Sequence, residues 1–371
     1  MKVCMDIQAA IGQTAGVGRY ARTLAEGLGE QAGTDRLSLF YFDFRGNTRT
    51  FSAPGASIKR IQWCPGRLAQ KAWKTIKWPP FDMLAGPADL YFFPNFVAPP
   101  VRKGRSVVAI HDMSHVRFPQ FAEERNLRYL NGRLADSARR ADAIITISHF
   151  SAGEISEVLG IGRDRIFPIY PGISEDFKPP DPGSVATRLP ALGISQPYLL
   201  TVGTLEPRKN IPMLIEIFEK MDTFKGMLVI AGMPGWKTEP ILQRIRQSPR
   251  ADEIMWLRYV DHADLLALYN GAKAFATTSF YEGFGFTPLE AMACGAPVVS
   301  ATAGSLREAL GEGAVLIDDY DPDRWVEALN RLLTEPDARR HRIERGLKWV
   351  QRYAWSDTIR QTWEVFRKVA S

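Results

Sequence analysis

Cysteine is scarce in this 371-residue chain. Cys4, Cys64 and Cys294 are odd in number, widely spaced and without a CxxC pair. That excludes a disulfide scaffold and reads as reduced thiols in a cytoplasmic protein. No apolar run reaches the ~18 residues that a membrane span needs. The first residues, Met1-Lys2-Val3-Cys4-Met5-Asp6, place an acid at position six and read as a strand, not as a signal peptide. Repeats and low-complexity tracts are missing, and so is the GxGxxG spacing of a nicotinamide-binding turn. Between Arg60 and Pro80 there is no acidic residue.

What is present describes a soluble globular protein, with 45% hydrophobic residues and 24% charged. The length exceeds one ordinary core and suits two domains. Short apolar runs at 3–7, 89–94, 106–110, 141–148 and 166–169, then at 198–202, 227–232, 254–257 and 274–278, alternate with helical patterns. Such alternation predicts an α/β fold with parallel, doubly wound sheets. Pro179-Pro180-Asp181-Pro182-Gly183-Ser184 is the clearest linker and separates a domain over 1–180 from one over 181–354, with a last helix at about 355–371. Residues 1–180 carry 24 Lys and Arg against 17 Asp and Glu, while 181–371 carry 23 against 24. A basic first half fits an anionic partner: nucleic acid, a membrane surface or a phosphorylated substrate.

One stretch organises the chain: Phe280-Tyr281-Glu282-Gly283-Phe284-Gly285-Phe286-Thr287-Pro288-Leu289-Glu290-Ala291-Met292-Ala293-Cys294-Gly295. Gly283 and Gly285 let the backbone approach a ligand on either side of Phe284. Thr287 suits a helix N-cap, Pro288 the first helical position and Gly295 the stop. The amides of a helix start receive anions, and Glu282 and Glu290 beside them suit hydroxyls. Phosphates together with hydroxyls describe a sugar nucleotide. The tetrapeptide Thr287-Pro288-Leu289-Glu290 fits a capping box equally well, and both readings stand at this point.

Other stretches carry similar chemistry. Gly16 and Gly18 precede a helical pattern and offer amides to phosphates, or form a plain turn. After the strand at 198–202 come Gly203, Thr204 and the pair Arg208-Lys209. Arg holds a diphosphate in bidentate fashion and Lys adds a point charge, so together they offset charge growing on a leaving nucleoside diphosphate. His111-Asp112 follows a buried strand, where ligands meet open α/β sheets. His111 and His115 lack a third metal ligand, and a core histidine is the plain alternative. The 60–80 segment interleaves Arg60, Arg67, Lys71, Lys74 and Lys77 with Trp63, Trp73 and Trp78. That pattern suits an anionic membrane surface, or a solvated basic helix whose tryptophans pack inward. Nucleic-acid binding has no supporting motif there.

Tyr281-Glu282-Gly283-Phe284-Gly285, followed by Pro288-Leu289-Glu290-Ala291-Met292-Ala293-Cys294-Gly295-Ala296-Pro297-Val298-Val299, resembles the signature of glycosyltransferase family 4. Ile110-His111-Asp112 with Phe118-Pro119, and Glu206-Pro207-Arg208-Lys209-Asn210, resemble its bacterial mannosyltransferases of surface polysaccharides. The resemblance implies the GT-B fold, two Rossmann-like doubly wound parallel-sheet domains facing a cleft, with the last helix packing back on the first. It also implies a retaining transfer from a nucleotide-diphosphate sugar, GDP-mannose first, to a glycan or polyprenyl-diphosphate-linked acceptor. Peripheral contact through 60–80 would then lie at the inner face of the cytoplasmic membrane.

Residue by residue, the resemblance puts Arg208, Lys209, the amides of Gly16 and Gly18 and the helix start near Pro288 at the diphosphate. Glu290 falls at the ribose, Tyr259 and Val260 around the base, and Glu282 and His111 at the donor sugar. Gly203 and the Gly283-Phe284-Gly285 loop border the same donor. Thr204 stands where many members carry Arg. With no DxD-type acidic pair near the diphosphate, no metal and no cofactor are expected. A nucleotide-sugar epimerase of this fold is the alternative, and it would need no acceptor. A basic nucleic-acid-binding protein would leave Glu282 and Glu290 unexplained.

Overall fold

The computed structural model describes residues 1–12, 16–46, 51–180 and 184–371. Gln13-Thr14-Ala15 of the glycine loop and Asp181-Pro182-Gly183 of the expected linker lie outside the described residues. The chain divides into two compact units. One comprises Met1–Met113, Glu124–Gly172 and Tyr353–Ser371, the other Ser114–Glu123 and Ile173–Arg352.

The first unit is built on seven strands: β1 (Lys2–Asp6), β2 (Arg36–Phe42), β3 (Ala56–Ile61), β4 (Leu90–Phe93), β5 (Arg105–Ala109), β6 (Ala143–Thr146) and β7 (Ile166–Pro168). They pair in parallel in the order β3-β2-β1-β4-β5-β6-β7. β4 and β6 are buried along their whole length, as strands covered on both faces by helices must be. The order reverses between β1 and β4, and ligands of doubly wound sheets bind at such a switch point, beyond the carboxyl ends of the strands.

The second unit repeats the plan with β8 (Tyr198–Val202), β9 (Met227–Ala231), β10 (Ile254–Leu257), β11 (Ala274–Thr277), β12 (Val298–Ala301) and β13 (Val315–Ile317). Its order is β10-β9-β8-β11-β12-β13, again all parallel, with the switch between β8 and β11. Its core gathers Leu199, Leu214, Phe218, Leu228, Val299 and Trp325, all fully buried. Each such side chain contributes about 1.5–3 kcal/mol on leaving water.

The units depart from the linker-based division in two places, at the break and at Ser114–Glu123. The break falls at Gly172/Ile173 and not at 180, because Phe177 packs its ring against Tyr269 at 5.9 Å and His262 at 5.5 Å. Ser114–Glu123 belongs to the second unit, where Phe121 stacks on Phe280 at 5.3 Å and Phe118 meets Tyr281 at 5.6 Å. Lys237 and Trp236 donate to the Gln120 and Phe121 carbonyls in the same place. The helix Trp355–Ala370 belongs to the first unit. Its Phe366 lies 5.1 Å from Phe92 of β4, and Thr358 donates to the Tyr170 carbonyl at 2.7 Å.

Candidate functional site

In the second unit, the loops leaving β8 and β11 meet at the switch point. After Gly203 the chain makes a short 3₁₀ turn at Pro207–Lys209 and enters the helix Ile211–Lys220. A β-carbon on Gly203, which sits at φ 155°, would stand 3.1 Å from the Lys209 stem and push it aside by a few tenths of an ångström. Phe280 N–H donates to the Arg208 carbonyl at 2.9 Å, and Thr278 donates to the Asn210 carbonyl at 2.9 Å. These bonds fix the second loop on the first.

Glu282 is the centre of the arrangement. Its Oε1 accepts from Lys209 Nζ at 2.6 Å and from Ser279 at 2.7 Å, while its Oε2 accepts from Arg208 Nη1 at 2.8 Å. Arg208 also donates to the Tyr281 carbonyl at 2.6 Å and, through Nη2, to Glu206 at 2.5 Å. The two carboxylates are driven apart. Burial would raise the Glu282 carboxyl, but the Arg208 and Lys209 charges and their hydrogen bonds outweigh it and hold it at about 2. Burial dominates at Glu206 and raises it despite Arg208. The cationic pair read from the sequence is thus balanced by two acids. The amides of the neighbouring helix start add further positive ends for an anion.

That helix runs Phe286–Ala293 and begins two residues earlier than its Thr-Pro signal predicts. Gly285, at φ 99° and ψ 51°, is the N-cap, a conformation that L side chains rarely adopt. Thr287 therefore sits inside the first turn, and the capping box with Thr287 as its cap is not formed. Glu290 is 2% exposed, and its Oε2 accepts from the Tyr269 hydroxyl at 2.9 Å. Phe284 faces inward, 2% exposed, against Phe286 at 5.2 Å, so of the Gly283-Phe284-Gly285 loop only the backbone is available to a ligand.

The other predicted residues are distributed as follows. Tyr259 and Val260 follow β10, with Tyr259 77% exposed and Val260 partly so. In the first unit, Gly16 caps the helix Val17–Glu30 and Gly18 is buried within its first turn, so both amides stand at the helix start. His111 is buried beyond β5. Its Nε2 lies 2.9 Å from the Pro94 carbonyl, which can only accept, so Nε2 carries the proton and Nδ1 is the acceptor. Burial lowers its pKa, against that bond and Asp112, and keeps the ring neutral at pH 7. Tyr20 and Phe96 hold it edge-on at 4.9 and 5.2 Å. His115 falls in the second unit, and no group of three His, Cys, Asp or Glu suited to a metal occurs among the described residues. Asp319-Tyr320-Asp321 has DxD spacing, yet Asp321 caps the helix Pro322–Thr334 and Asp319 pairs with Arg324.

Sequence reasoning missed the supporting residues. Glu206 anchors Arg208, Ser279 orients Glu282, Ser305 donates to the Glu282 carbonyl at 3.0 Å, and Tyr269 holds Glu290. Only Glu206 had a signal, as an acid two residues from an arginine.

Comparison with known proteins follows this division. Residues 14–177 match the family described as Glycosyltransferase Family 4, and residues 190–349 match Glycosyl transferases group 1. The chain is 33% identical over 282 residues to O-antigen chain mannosyltransferase B of Escherichia coli, covering 75% of this chain and 74% of that protein. It is 29% identical over 285 residues to the serotype-specific mannosyltransferase WbdA of Escherichia coli, 71% of this chain and about a third (34%) of that one. Among solved structures, sucrose-phosphate synthase from Thermosynechococcus elongatus superposes with a TM-score of 0.77 at 18% identity, over 100% of this chain and 99% of the other. Anabaena HepE in complex with UDP-glucose gives 0.74 at 18%, over 99% and 100%. Both are likenesses of fold.

Proposed function

Because the chain belongs to glycosyltransferase family 4 and has the GT-B fold, we propose that it transfers mannose from GDP-mannose, with retention, to a lipid-linked glycan in cell-surface polysaccharide assembly. The observation that carries the reading is the Glu282 carboxylate bridging Arg208 and Lys209 at the β8/β11 switch point. Arg208, Lys209 and the amides at the start of Phe286–Ala293 hold the diphosphate. Glu290, oriented by Tyr269, takes the ribose hydroxyls, and Tyr259 and Val260 border the base. Glu282 and the neutral Nδ1 of His111 accept from hydroxyls of the sugar.

In the step itself, the bond from the anomeric carbon to the diphosphate oxygen breaks and its electron pair leaves with GDP. The acceptor hydroxyl bonds to the same face of that carbon and passes its proton to the departing phosphate oxygen. Charge growing on GDP meets Arg208 and Lys209, which are in place beforehand and need no reorganisation. This reading calls for no metal. It favours mannose over glucose because two relatives are named mannosyltransferases. The work is done at the cytoplasmic face of the membrane, where the basic, tryptophan-bearing segment 60–80 makes peripheral contact.

Thermal shift against GDP, UDP, ADP and dTDP and their sugars, with EDTA present, tests the donor. A ligand at a hundred times its dissociation constant stabilises the fold by about 2.7 kcal/mol. A shift with GDP and GDP-mannose alone is expected. A shift with UDP and UDP-glucose instead would overturn mannose, and no shift with any nucleotide would overturn the enzyme's proposed donor class.

A further inference from the structure

At the amino ends of its strands, opposite the loops leaving β8 and β11, the second unit holds a cavity of about 360 Å³. Three adjacent strands start there. Pro197 stands just before β8, Lys225 two residues before β9 and Lys273 just before β11. β8 has five residues, so this edge lies about 15 Å from the loops that carry Arg208 and Glu282. Nothing in the donor reading uses this space.

Its walls are fixed by the protein's own bonds. Met227 N–H donates to the Pro197 carbonyl and Lys273 N–H to the Tyr198 carbonyl, each at 2.9 Å. Phe224 is buried, and its carbonyl accepts from Arg250 at 3.0 Å. Arg339, from the helix Pro336–Val350, donates to the Lys273 and Ala272 carbonyls. The helix Pro322–Thr334 closes the cavity with Asn330, Leu333 and Thr334. Its last carbonyls are already occupied, Asn330's by the Thr334 hydroxyl at 2.9 Å and Arg331's by the Glu335 amide at 3.0 Å.

The charge is of one sign. Among the described residues, Lys225, Lys273 and Arg339 line the cavity, no acid does, and none of the three is in an ion pair. The acids of the adjoining turn are spent elsewhere, Glu335 on Arg331 at 3.2 Å and Asp337 on Arg340. Burial without a counter-ion lowers the Arg339 pKa from its ordinary value. A partly buried guanidinium that shares a cavity with two lysines and no carboxylate is complementary to a dianion.

The remaining residues set what that dianion is attached to. Thr223, Asn330 and Thr334 supply neutral hydrogen-bonding groups, while Pro197, Phe224 and Leu333 supply apolar surface. The hydroxyls and the C–H face of a sugar ring match these two kinds of group. The volume is near the lower end of the ~300–1,000 Å³ of small-molecule sites. That is room for one ring and its phosphate, and too little for a nucleotide sugar.

We propose that this cavity is a second ligand site, separate from the donor site, and takes a phosphorylated monosaccharide. Lys225, Lys273 and Arg339 hold its phosphate, and Asn330 and Thr223 its hydroxyls. The site is independent of which nucleotide sugar is the donor.

Calorimetric titration of the whole protein with glucose 6-phosphate, glucose and inorganic phosphate tests it. Glucose 6-phosphate should bind at least ten-fold more tightly than either of the others. Lys225 and Lys273 are exposed, so Lys225→Gln/Lys273→Gln should keep the wild-type melting temperature. This double variant should lose at least ten-fold in affinity for glucose 6-phosphate, while Lys209→Gln, at the donor site, should bind it as the wild type does. Loss in Lys209→Gln with none in the double variant would put the phosphate at the donor site and overturn the second one. Equal binding of glucose would overturn the anion site, and equal binding of inorganic phosphate would overturn the sugar. No binding of any probe would overturn the cavity as a ligand site. Each of these failures leaves the transferase reading standing, whereas absence of nucleotide binding would count against that reading alone.

Discussion

Arg208 reaches two carboxylates at once, Glu282 through Nη1 at 2.8 Å and Glu206 through Nη2 at 2.5 Å. The guanidinium is clamped across the β8/β11 switch point before any ligand arrives, so its position costs nothing at the moment of reaction. Removing Glu282 frees Arg208 at one end and leaves Lys209 and Ser279 without their shared acceptor. Glu282→Ala should lower turnover by about 10²–10³-fold, with an unchanged far-ultraviolet circular dichroism spectrum. A variant that folds and keeps near-normal turnover would remove Glu282 from the chemistry.

Glu290 tests a different role. Its carboxylate is buried and oriented by the Tyr269 hydroxyl, which is itself set by Phe177 and Phe275. Tyr269→Phe deletes one hydrogen bond to a charged group, a loss of about 1.5–3 kcal/mol, and should weaken nucleotide binding by about ten-fold or more. The free nucleoside diphosphate and the full donor should weaken alike, because the ribose belongs to both. Calorimetric titration of each measures it. An effect confined to the sugar-bearing donor would move Glu290 from the ribose to the sugar.

His111 gives the pH dependence. Its folded pKa is lowered from 6.5 by burial, and its Nε2 proton is committed to Pro94. The contribution of its neutral form to stability is therefore complete above pH 6.5 and is lost as pH falls from 6.5 through the lower folded value. Glu282 follows the same direction further down, stabilising fully above the ordinary carboxyl pKa near 4.5 and losing that as pH falls toward about 2. Proton NMR of the His111 ring should show a midpoint below 6.5. A midpoint above 7 would mean that the imidazolium is the resident form at neutral pH and that Nδ1 donates to the sugar.

The sequence made the two sheets and the second-unit loops legible because their strands are short, fully buried apolar runs followed by glycine and charge. β3 and β13 escaped. β3 is an edge strand with Ser57, Ile58 and Arg60 outward, and β13 has three residues, only one of them buried. The helix start at Gly285 was missed because Thr-Pro is the stronger local signal, whereas the actual start is set by how the loop folds beneath Leu306, which a β-carbon on Gly285 would meet at 2.7 Å. Ser114–Glu123 joined the wrong half for a similar reason. Its Phe118 and Phe121 find their partners at Phe280 and Tyr281, more than 150 residues away, and no local pattern encodes that. The cavity at the amino ends of the second sheet was invisible for the same cause, since its cations come from separate segments.

The exposed row on and around the helix Gly66–Thr75 makes the last prediction. Trp63 and Trp78 stand more than half exposed, outside a helix that bears Lys71 and Lys74. Indoles settle at headgroup depth and lysines meet anionic lipid, so the two residue types should contribute separably. In flotation with vesicles of phosphatidylglycerol and phosphatidylcholine, the protein should bind at 0.05 M salt and bind less at 0.5 M, as the charge term is screened. Trp63→Ala/Trp78→Ala should lower binding at both salt concentrations, while Lys71→Glu should lower it mainly at 0.05 M. Neither tryptophan belongs to the donor site, so acceptor turnover in detergent should stay at the wild-type rate while turnover on vesicles falls. Equal loss in detergent and on vesicles would show that the pair supports the fold and not the membrane contact.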